Sequence, residues 1–347
     1  MKFFTFPHYA SVAQLDRASV FGTEGWGFKF LHSHQKRAIG LGGFMKKIYI
    51  LEHFDFTPQQ MNKLKSLGEV VYYEKANQAQ IEDAINRADA ILLDWLDPNP
   101  ILANMKKGQF ICLPYTGYDW VTNLQIAKSN GVIISNTPNY STNAVAEHHL
   151  ALILDCAKHI TSFNNVYKSG EKVGFNRGLE LQGKKVGIIG LGNIGQKLAD
   201  LLSIFGVEIF AYNRTPRNLQ NIKEIDLITL FSTCDIICNT CKLTPQTRNM
   251  IGMKELKLMK PTAILTSTTG GIINLNELNE FLKENQLFGI GLDDIDQQQV
   301  PAELLKYDNV ICTYHRAYDT NESENNRINL CIDSIEAFFK NKPINLI

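Results

Sequence analysis

Gly190-Leu191-Gly192-Asn193-Ile194-Gly195 directly follows an apolar run, Lys185 to Gly190, and opens a segment of helical character, Asn193 to Phe205. No other feature constrains the fold of this chain as much. The first glycine permits a tight turn, the second lets backbone approach a pyrophosphate, and the third lets helix and strand pack closely. The helix N-terminus that follows offers N–H groups and a favourable dipole to phosphate. A lone glycine triplet is weak evidence. In strand–turn–helix context it marks a dinucleotide site, with Gly190, Gly192, Asn193, Ile194 and Gly195 as contacts. The next strand, Val207 to Asn213, ends in Asn213-Arg214-Thr215. An acidic residue there would accept from the ribose 2′-OH of NAD. Asn213 carries no charge to repel a 2′-phosphate and Arg214 can clamp one, so NADP is favoured over NAD. The alternative is a solvated Arg214 and use of either cofactor.

The rest of the chain extends this pattern in both directions. Strands are expected at Lys47 to Glu52, Val70 to Tyr73, Ala88 to Trp95, Phe110 to Leu113 and Val132 to Ser135. Helices are expected between them, the first opened by Thr57-Pro58 and closed by Gly68, then Gln78 to Arg87 and Thr122 to Ser129. Ser141-Thr142-Asn143 caps a long helix, Ala144 to Lys168. A second series of strands follows at Asp235 to Thr240, Ala263 to Thr268, Phe288 to Asp293 and Asn309 to Tyr314, and a helix over Asn321 to Lys340 ends the chain. Strands alternating with helices imply parallel sheets covered on both faces.

Residues 1–44 do not fit this scheme. They carry three of the eight histidines and no sustained period. They lack the apolar core and cleavage site of a signal peptide. Val12 to Phe28 resembles the peptide produced when a bacterial tRNA gene is translated, and Met45-Lys46-Lys47-Ile48 reads as a start. The expectation is a spurious or disordered extension ahead of a protein that begins at Met45. Lys plus Arg and Asp plus Glu both number 35, so bulk charge steers the chain toward neither nucleic acid nor anionic membrane. The longest apolar runs, Leu150 to Leu154 and Val186 to Gly192, are too short to span a bilayer. Seven scattered cysteines without a secretion signal read as reduced thiols of a cytoplasmic protein. Cys234, Cys238 and Cys241 surround one strand without paired C-x-x-C spacing and read as core thiols rather than a zinc site. His148 and His149 are adjacent on a helix and do not share a face, so no metal site is expected.

Several segments together resemble the D-isomer-specific 2-hydroxyacid dehydrogenase family: Tyr115-Thr116-Gly117-Tyr118-Asp119, Asn143-Ala-Val-Ala-Glu147-His148, Leu181 to Gly195, and Leu243-Thr-Pro-Gln-Thr247. The resemblance implies an α/β architecture of two Rossmann-like domains with parallel sheets. One would be a formate/glycerate dehydrogenase-like substrate domain, residues 45–143 with 318–347. The other would be an NAD(P)-binding domain, residues 144–317. It implies a homodimer acting on a small 2-hydroxy or 2-keto acid across the interdomain cleft. It assigns Tyr115, Thr116 and Gly117 to the loop whose backbone N–H groups hold the substrate carboxylate, and Asp293 to the neighbourhood of the nicotinamide.

The chemistry of such a site needs an acid for the developing alkoxide, a carboxylate to charge and orient that acid, and a planar cation for the substrate carboxylate. The family uses His, Glu and Arg. Cys312-Thr-Tyr-His315-Arg-Ala matches the family's histidine segment, so His315 inherits the acid role, at the end of an expected strand. Ungapped placement puts Gln298 at the glutamate; the formate dehydrogenase branch also pairs its histidine with Gln. Anchored on Gly270-Gly271 the arginine position holds Thr269; anchored on Pro261 it holds Gly270. Neither is a cation. Arg316 would face away from His315 on a strand. Lys168, Lys172 or Arg177 remain as cations able to reach in from the end of the long helix. The expected function is therefore an NAD(P)-dependent oxidoreductase of D-2-hydroxy acids with a non-standard site. The alternative is a catalytically weak or inactive dinucleotide-binding regulatory protein on the same fold.

Overall fold

The computed structural model describes residues 45–172, 174, 176–293 and 300–347. The readings of residues 1–44 and of Gln298 lie outside the described residues. Two parallel sheets organise the chain. The first contains β1 (Lys47–Ile50), β2 (Glu69–Tyr72), β3 (Ala90–Leu92), β4 (Phe110–Leu113) and β5 (Ile133–Asn136) in the order β2-β1-β3-β4-β5. Its helices are α1 (Pro58–Leu67), α2 (Gln78–Arg87), α3 (Pro98–Asn104) and α4 (Leu124–Ser129). The chain then runs through α5 (Thr142–Lys158) and α6 (Ile160–Ser169) into the second sheet. That sheet contains β6 (Lys185–Ile189), β7 (Glu208–Tyr212), β8 (Lys223–Glu224), β9 (Ile236–Asn239), β10 (Ile264–Ser267), β11 (Gly289–Leu292) and β12 (Val310–Cys312), in the order β12-β11-β10-β9-β6-β7-β8. Its helices are α7 (Asn193–Ser203), α8 (Leu227–Thr233), α9 (Met253–Leu256) and α10 (Leu275–Glu284); α11 (Asn321–Phe339) returns to the first sheet.

Each sheet is apolar on both faces, as parallel strands covered by helices must be. Ile48, Ile50, Leu92 and Phe110 pack on Ile328, Ile332 and Ile335 of α11, while Tyr49, Ile91 and Ile111 face Ala84, Ile101, Leu102 and Ala127. In the second sheet Val186, Ile188 and Ile236 meet Ile153, Leu198 and Leu202; Ile189, Ile237 and Leu265 meet Leu230, Phe231 and Leu278. In both sheets the strand order reverses once, between β1 and β3 and between β6 and β9. Ligands of open α/β sheets bind beyond the carboxyl ends of the strands at such points.

The long helix expected over Ala144 to Lys168 is broken. His159 takes a left-handed conformation (φ 54°) and ends α5. The Asp155 carboxylate accepts from the Thr161 N–H at 2.8 Å and from its hydroxyl, so a side chain of α5 itself holds the first turn of the helix that starts at Ile160. His159 packs its ring on Phe288, 4.8 Å between centroids. The start also differs: Ser141 precedes the first turn without a side-chain capping bond, and the helix begins at Thr142. The helix α3 was not expected; Asp97 accepts from the Asn99 N–H and Pro98 occupies the first turn, a signal of helix onset in the stretch after Trp95, to which the sequence pattern assigns no element.

α5 runs antiparallel to the strands it covers. His148 lies at Thr313 beyond β12, His149 at Thr266, Leu152 against Gly291 and Cys156 against Gly289. Its 17 residues span roughly 25 Å at 1.5 Å per residue. Its far end, and α6 after it, therefore lie at the amino edge of the second sheet. Arg177 precedes Gly178, which lies against the Ala157 carbonyl at this end, so Arg177 is remote from the carboxyl edge.

His149 is fully buried and its Nε2 lies 2.6 Å from the Thr266 hydroxyl. Burial pushes its pKa down to about 3. The folded state thus keeps a neutral ring while the unfolded chain binds a proton near pH 6.5. Its contribution to stability is complete above that value and is lost as pH falls. Urea unfolding of the wild type and of His149→Gln at pH 7, 6 and 5 should differ in slope by about 1.4 kcal/mol per pH unit below about 6.5. Parallel pH profiles would contradict this assignment.

Candidate active site

The loop after β6 is fixed by its own backbone. Gly190 has φ +95°, and a Cβ there would lie 2.8 Å from the Cys241 Cα. A Cβ on Gly195 would lie 2.1 Å from the Gly190 carbonyl oxygen and 2.8 Å from the Thr240 hydroxyl. That hydroxyl donates to the Gly190 carbonyl at 2.6 Å. Gly192 is different: no heavy atom lies within 4 Å of a Cβ built on it. The loop is thus packed from beneath by Gly190 and Gly195 and open above Gly192. Asn193 and Ile194 start α7, whose N-terminus carries no side-chain cap. This combination fits a pyrophosphate, which requires close backbone approach and an uncapped helix start. Asn213 lies beside it. Its Oδ1 accepts from the Leu191 N–H at 2.7 Å and its Nδ2 is buried without a partner. Arg214 and Thr215 are exposed beyond it.

His315 does not end a strand, as the sequence pattern implied. β12 stops at Cys312, and His315 sits three residues on in a left-handed turn, φ 50°. Such a conformation costs a non-glycine residue about 1–2 kcal/mol and persists only when its surroundings impose it. The Asp293 carboxylate imposes it. It is buried at the end of β11 and accepts from the Thr313 hydroxyl, from the Arg316 N–H at 2.9 Å and from the Ala317 N–H at 3.0 Å. His148 reaches the same group from α5, with Nε2 3.1 Å from the Thr313 hydroxyl. The resemblance gave Asp293 to the nicotinamide; here it anchors the histidine turn. Arg316 was expected on a strand and instead lies in this exposed turn, paired with Asp319 at 2.5 Å. The His315 ring itself is exposed and meets Tyr318 edge-on at 5.2 Å.

Facing these loops is the segment after β4. The Tyr115 hydroxyl donates to the Asp94 carbonyl at 2.8 Å, and burial raises its pKa. The Thr116 hydroxyl donates to the Thr137 carbonyl at 3.1 Å, and its own carbonyl accepts from Asn136 Nδ2 at 3.0 Å. Gly117 is exposed, and no heavy atom lies within 4 Å of a Cβ built on it. Thr269 follows β10, its backbone bonded to the Ser267 hydroxyl, which also accepts from Asn239 Nδ2. Sequence reasoning missed Lys242. It stands in the loop after β9, immediately before Leu243-Thr244-Pro245. Its Nζ lies 3.1 Å from Asp119 and 4.9 Å from the Tyr118 ring centroid, two residues from Gly117. A lysine at that point of the fingerprint loop was the available signal. Asn193 Nδ2 also bonds Asn139 Oδ1 at 2.5 Å, so the dinucleotide loop touches the segment after β5.

The other candidates fall to the core. Cys234 and Cys238 are buried, and burial pushes their thiols up to about 11 and about 12, so neither is a thiolate at neutral pH. Cys241 is half-buried and its thiol is likewise pushed up to about 11. His148 and His149 face different strands. Among the described residues no cluster has the makings of a metal site, and no helix is long and apolar enough to cross a membrane.

The open glycine loop, the histidine turn and the loop after β4 lie together at strand carboxyl ends and fit a dinucleotide-binding α/β scaffold. Residues 150–317 match the model of the D-isomer specific 2-hydroxyacid dehydrogenase, NAD binding domain. A glyoxylate reductase of Thermococcus litoralis is 36% identical over 262 residues, covering 71% of this chain and 79% of that protein. A hydroxypyruvate reductase of Blautia hydrogenotrophica is 27% identical over 321 residues, covering 87% and 99%. Among solved structures, an acyclic imino acid reductase (Bsp5) in complex with NADPH and D-Arg has a TM-score of 0.77 at 27% identity, covering 87% of this chain and 99% of that one. The chain belongs to the D-isomer specific 2-hydroxyacid dehydrogenase family.

Proposed function

We propose that the protein reduces a 2-keto acid to the D-2-hydroxy acid, using NADP(H) in preference to NAD(H). The observation that carries this reading is His315, held in a left-handed turn by Asp293 at the same carboxyl edge as the Gly190–Gly195 cradle. Strain retained by a buried carboxylate at a carboxyl edge is the expected signature of a positioned catalytic group. The nicotinamide would supply the hydride. His315 would protonate the alkoxide oxygen as it forms, and Gln298 would orient the imidazole. The NADP preference rests on the absence of a carboxylate at Asn213 and on Arg214 beside it. The relatives' glyoxylate and hydroxypyruvate activities support the reaction class. Residues 45–143 with 318–347 would hold the substrate and residues 144–317 the cofactor.

The substrate carboxylate would lie on the backbone N–H groups of the Tyr115-Thr116-Gly117 loop, with Lys242 as the cation that Thr269 is not. Asp119 occupies Lys242 in this structure and would be its counter-ion between turnovers. The expectation is that Lys242→Ala raises the KM for a 2-keto acid about tenfold, near the 1.4 kcal/mol of a charge-assisted bond, and that Lys242→Arg restores most of it. Steady-state kinetics at saturating NADPH would check this. A rise in KM for NADPH alone would place Lys242 on the cofactor instead. Thr269 favours a second reading, in which the same scaffold binds dinucleotide and signals its redox state without turnover.

A further inference from the structure

An aromatic row runs along the first sheet's carboxyl edge. Trp120 packs on Tyr115 at 5.3 Å between centroids, Tyr115 on Trp95 at 6.5 Å, and Trp95 on Tyr318 at 6.4 Å. Tyr318 in turn contacts His315 at 5.2 Å and Tyr140 at 6.4 Å. These rings come from the loops after β3, β4 and β12 and from the segment before α5, so the fold brings together what the sequence scatters. Trp95 is 66% exposed and Trp120 49%.

An exposed tryptophan is ordinary on a mobile loop. Trp95 is on a fixed one. The Glu52 carboxylate accepts from the N–H groups of Asp94 and Leu96, both at 2.7 Å, one on each side of Trp95. The Asp94 carboxylate pairs with Arg327 of α11, which Glu324 holds with two bonds of 2.8 Å. The Asp94 carbonyl accepts from Tyr115. Arg327 is 7% exposed, so the fixing charges are drawn from the core. A buried network thus presents a large apolar face to solvent beside the histidine. Such preorganised aromatic surface is what a binding site offers an apolar ligand group, because its ordering cost has been met in folding.

We infer that Trp95, with Tyr115, Trp120 and Tyr318, forms the subsite for the substrate side chain, and that this side chain is aromatic. The inference rests on the 2-keto acid reading above and deepens it. Its geometry follows from the row: a carboxylate on the Thr116–Gly117 backbone and a keto oxygen at His315 leave the third substituent of the keto carbon between Tyr115 and Tyr318, over Trp95. Glyoxylate carries only hydrogen there and hydroxypyruvate only a hydroxymethyl group, so neither would use the row. An arylpyruvate would stack on it.

The test compares phenylpyruvate with glyoxylate on the full-length protein with NADPH, for the wild type and Trp95→Ala. The expected result is a kcat/KM at least tenfold higher for phenylpyruvate. Trp95→Ala should lower that value ten- to fiftyfold and change the glyoxylate value less than twofold. A loss of that size is what deleting a stacked ring from a pocket gives. Glyoxylate preferred by the wild type, or equal losses on both substrates, would overturn the subsite while leaving the reductase reading intact. Calorimetric titration of the NADPH-loaded protein with 3-phenyllactate and with lactate separates the two claims. Tighter binding of phenyllactate, lost in Trp95→Ala, without turnover of any keto acid would keep the subsite and reject the reductase. Equal binding, or none, would reject the subsite.

Discussion

Replacing His315 with Gln should lower kcat for keto-acid reduction by about 10²- to 10⁴-fold, the range a general acid contributes. The substitution keeps a polar side chain of similar length in an exposed position, so the turn should survive. What holds that turn is the Asp293 carboxylate, which bonds the backbone of residues 316 and 317 and the hydroxyl of Thr313 rather than the imidazole. The binding of NADPH, followed by fluorescence titration, should therefore change less than twofold. A kcat within fivefold of the wild type would remove His315 from the chemistry. A parallel loss of NADPH binding would make it a structural residue of the cleft.

The second large effect separates two glycines of one motif. Gly195→Ala should abolish measurable NADPH binding, a loss of 100-fold or more, and lower Tm by several degrees. Its Cβ would meet the Gly190 carbonyl oxygen at 2.1 Å, a backbone atom itself pinned by the Thr240 hydroxyl, so strand and helix must move apart. Gly192→Ala should weaken NADPH comparably and leave Tm unchanged. Its φ of −69° suits any residue, and its Cβ would enter open space that only a bound pyrophosphate would fill. Thermal unfolding without nucleotide, paired with NADPH titration, reads both quantities. Equal Tm losses in the two variants would contradict the assignment of the open space above Gly192 to the cofactor.

The parts of this molecule legible in its sequence are those set by local rules. The glycine triplet between strand and helix, the apolar runs of β4, β6 and β9, and the Thr57-Pro58 start of α1 each depend on neighbours in the chain. What escaped depends on partners far apart. The break at His159 required the Asp155 side chain to prefer Thr161 to solvent. The turn at His315 required a carboxylate 22 positions earlier to collect three donors. Arg177, one of three cations read as able to reach in from the end of the long helix, is carried away from the cleft because α5 runs antiparallel along the strands. The crossing of Lys242 to Asp119 and the aromatic row from Trp120 to Tyr318 join loops that only the sheet order makes adjacent.

Whether this cleft transfers hydride is read by absorbance at 340 nm. The purified protein would be mixed with NADPH, and in parallel NADH, and with glyoxylate, hydroxypyruvate, pyruvate and phenylpyruvate in turn. The expected result is oxidation of the nucleotide with at least one keto acid, faster with NADPH than with NADH. A folded protein that binds NADPH but oxidises neither nucleotide with any of them would contradict it and favour the nucleotide-sensing reading.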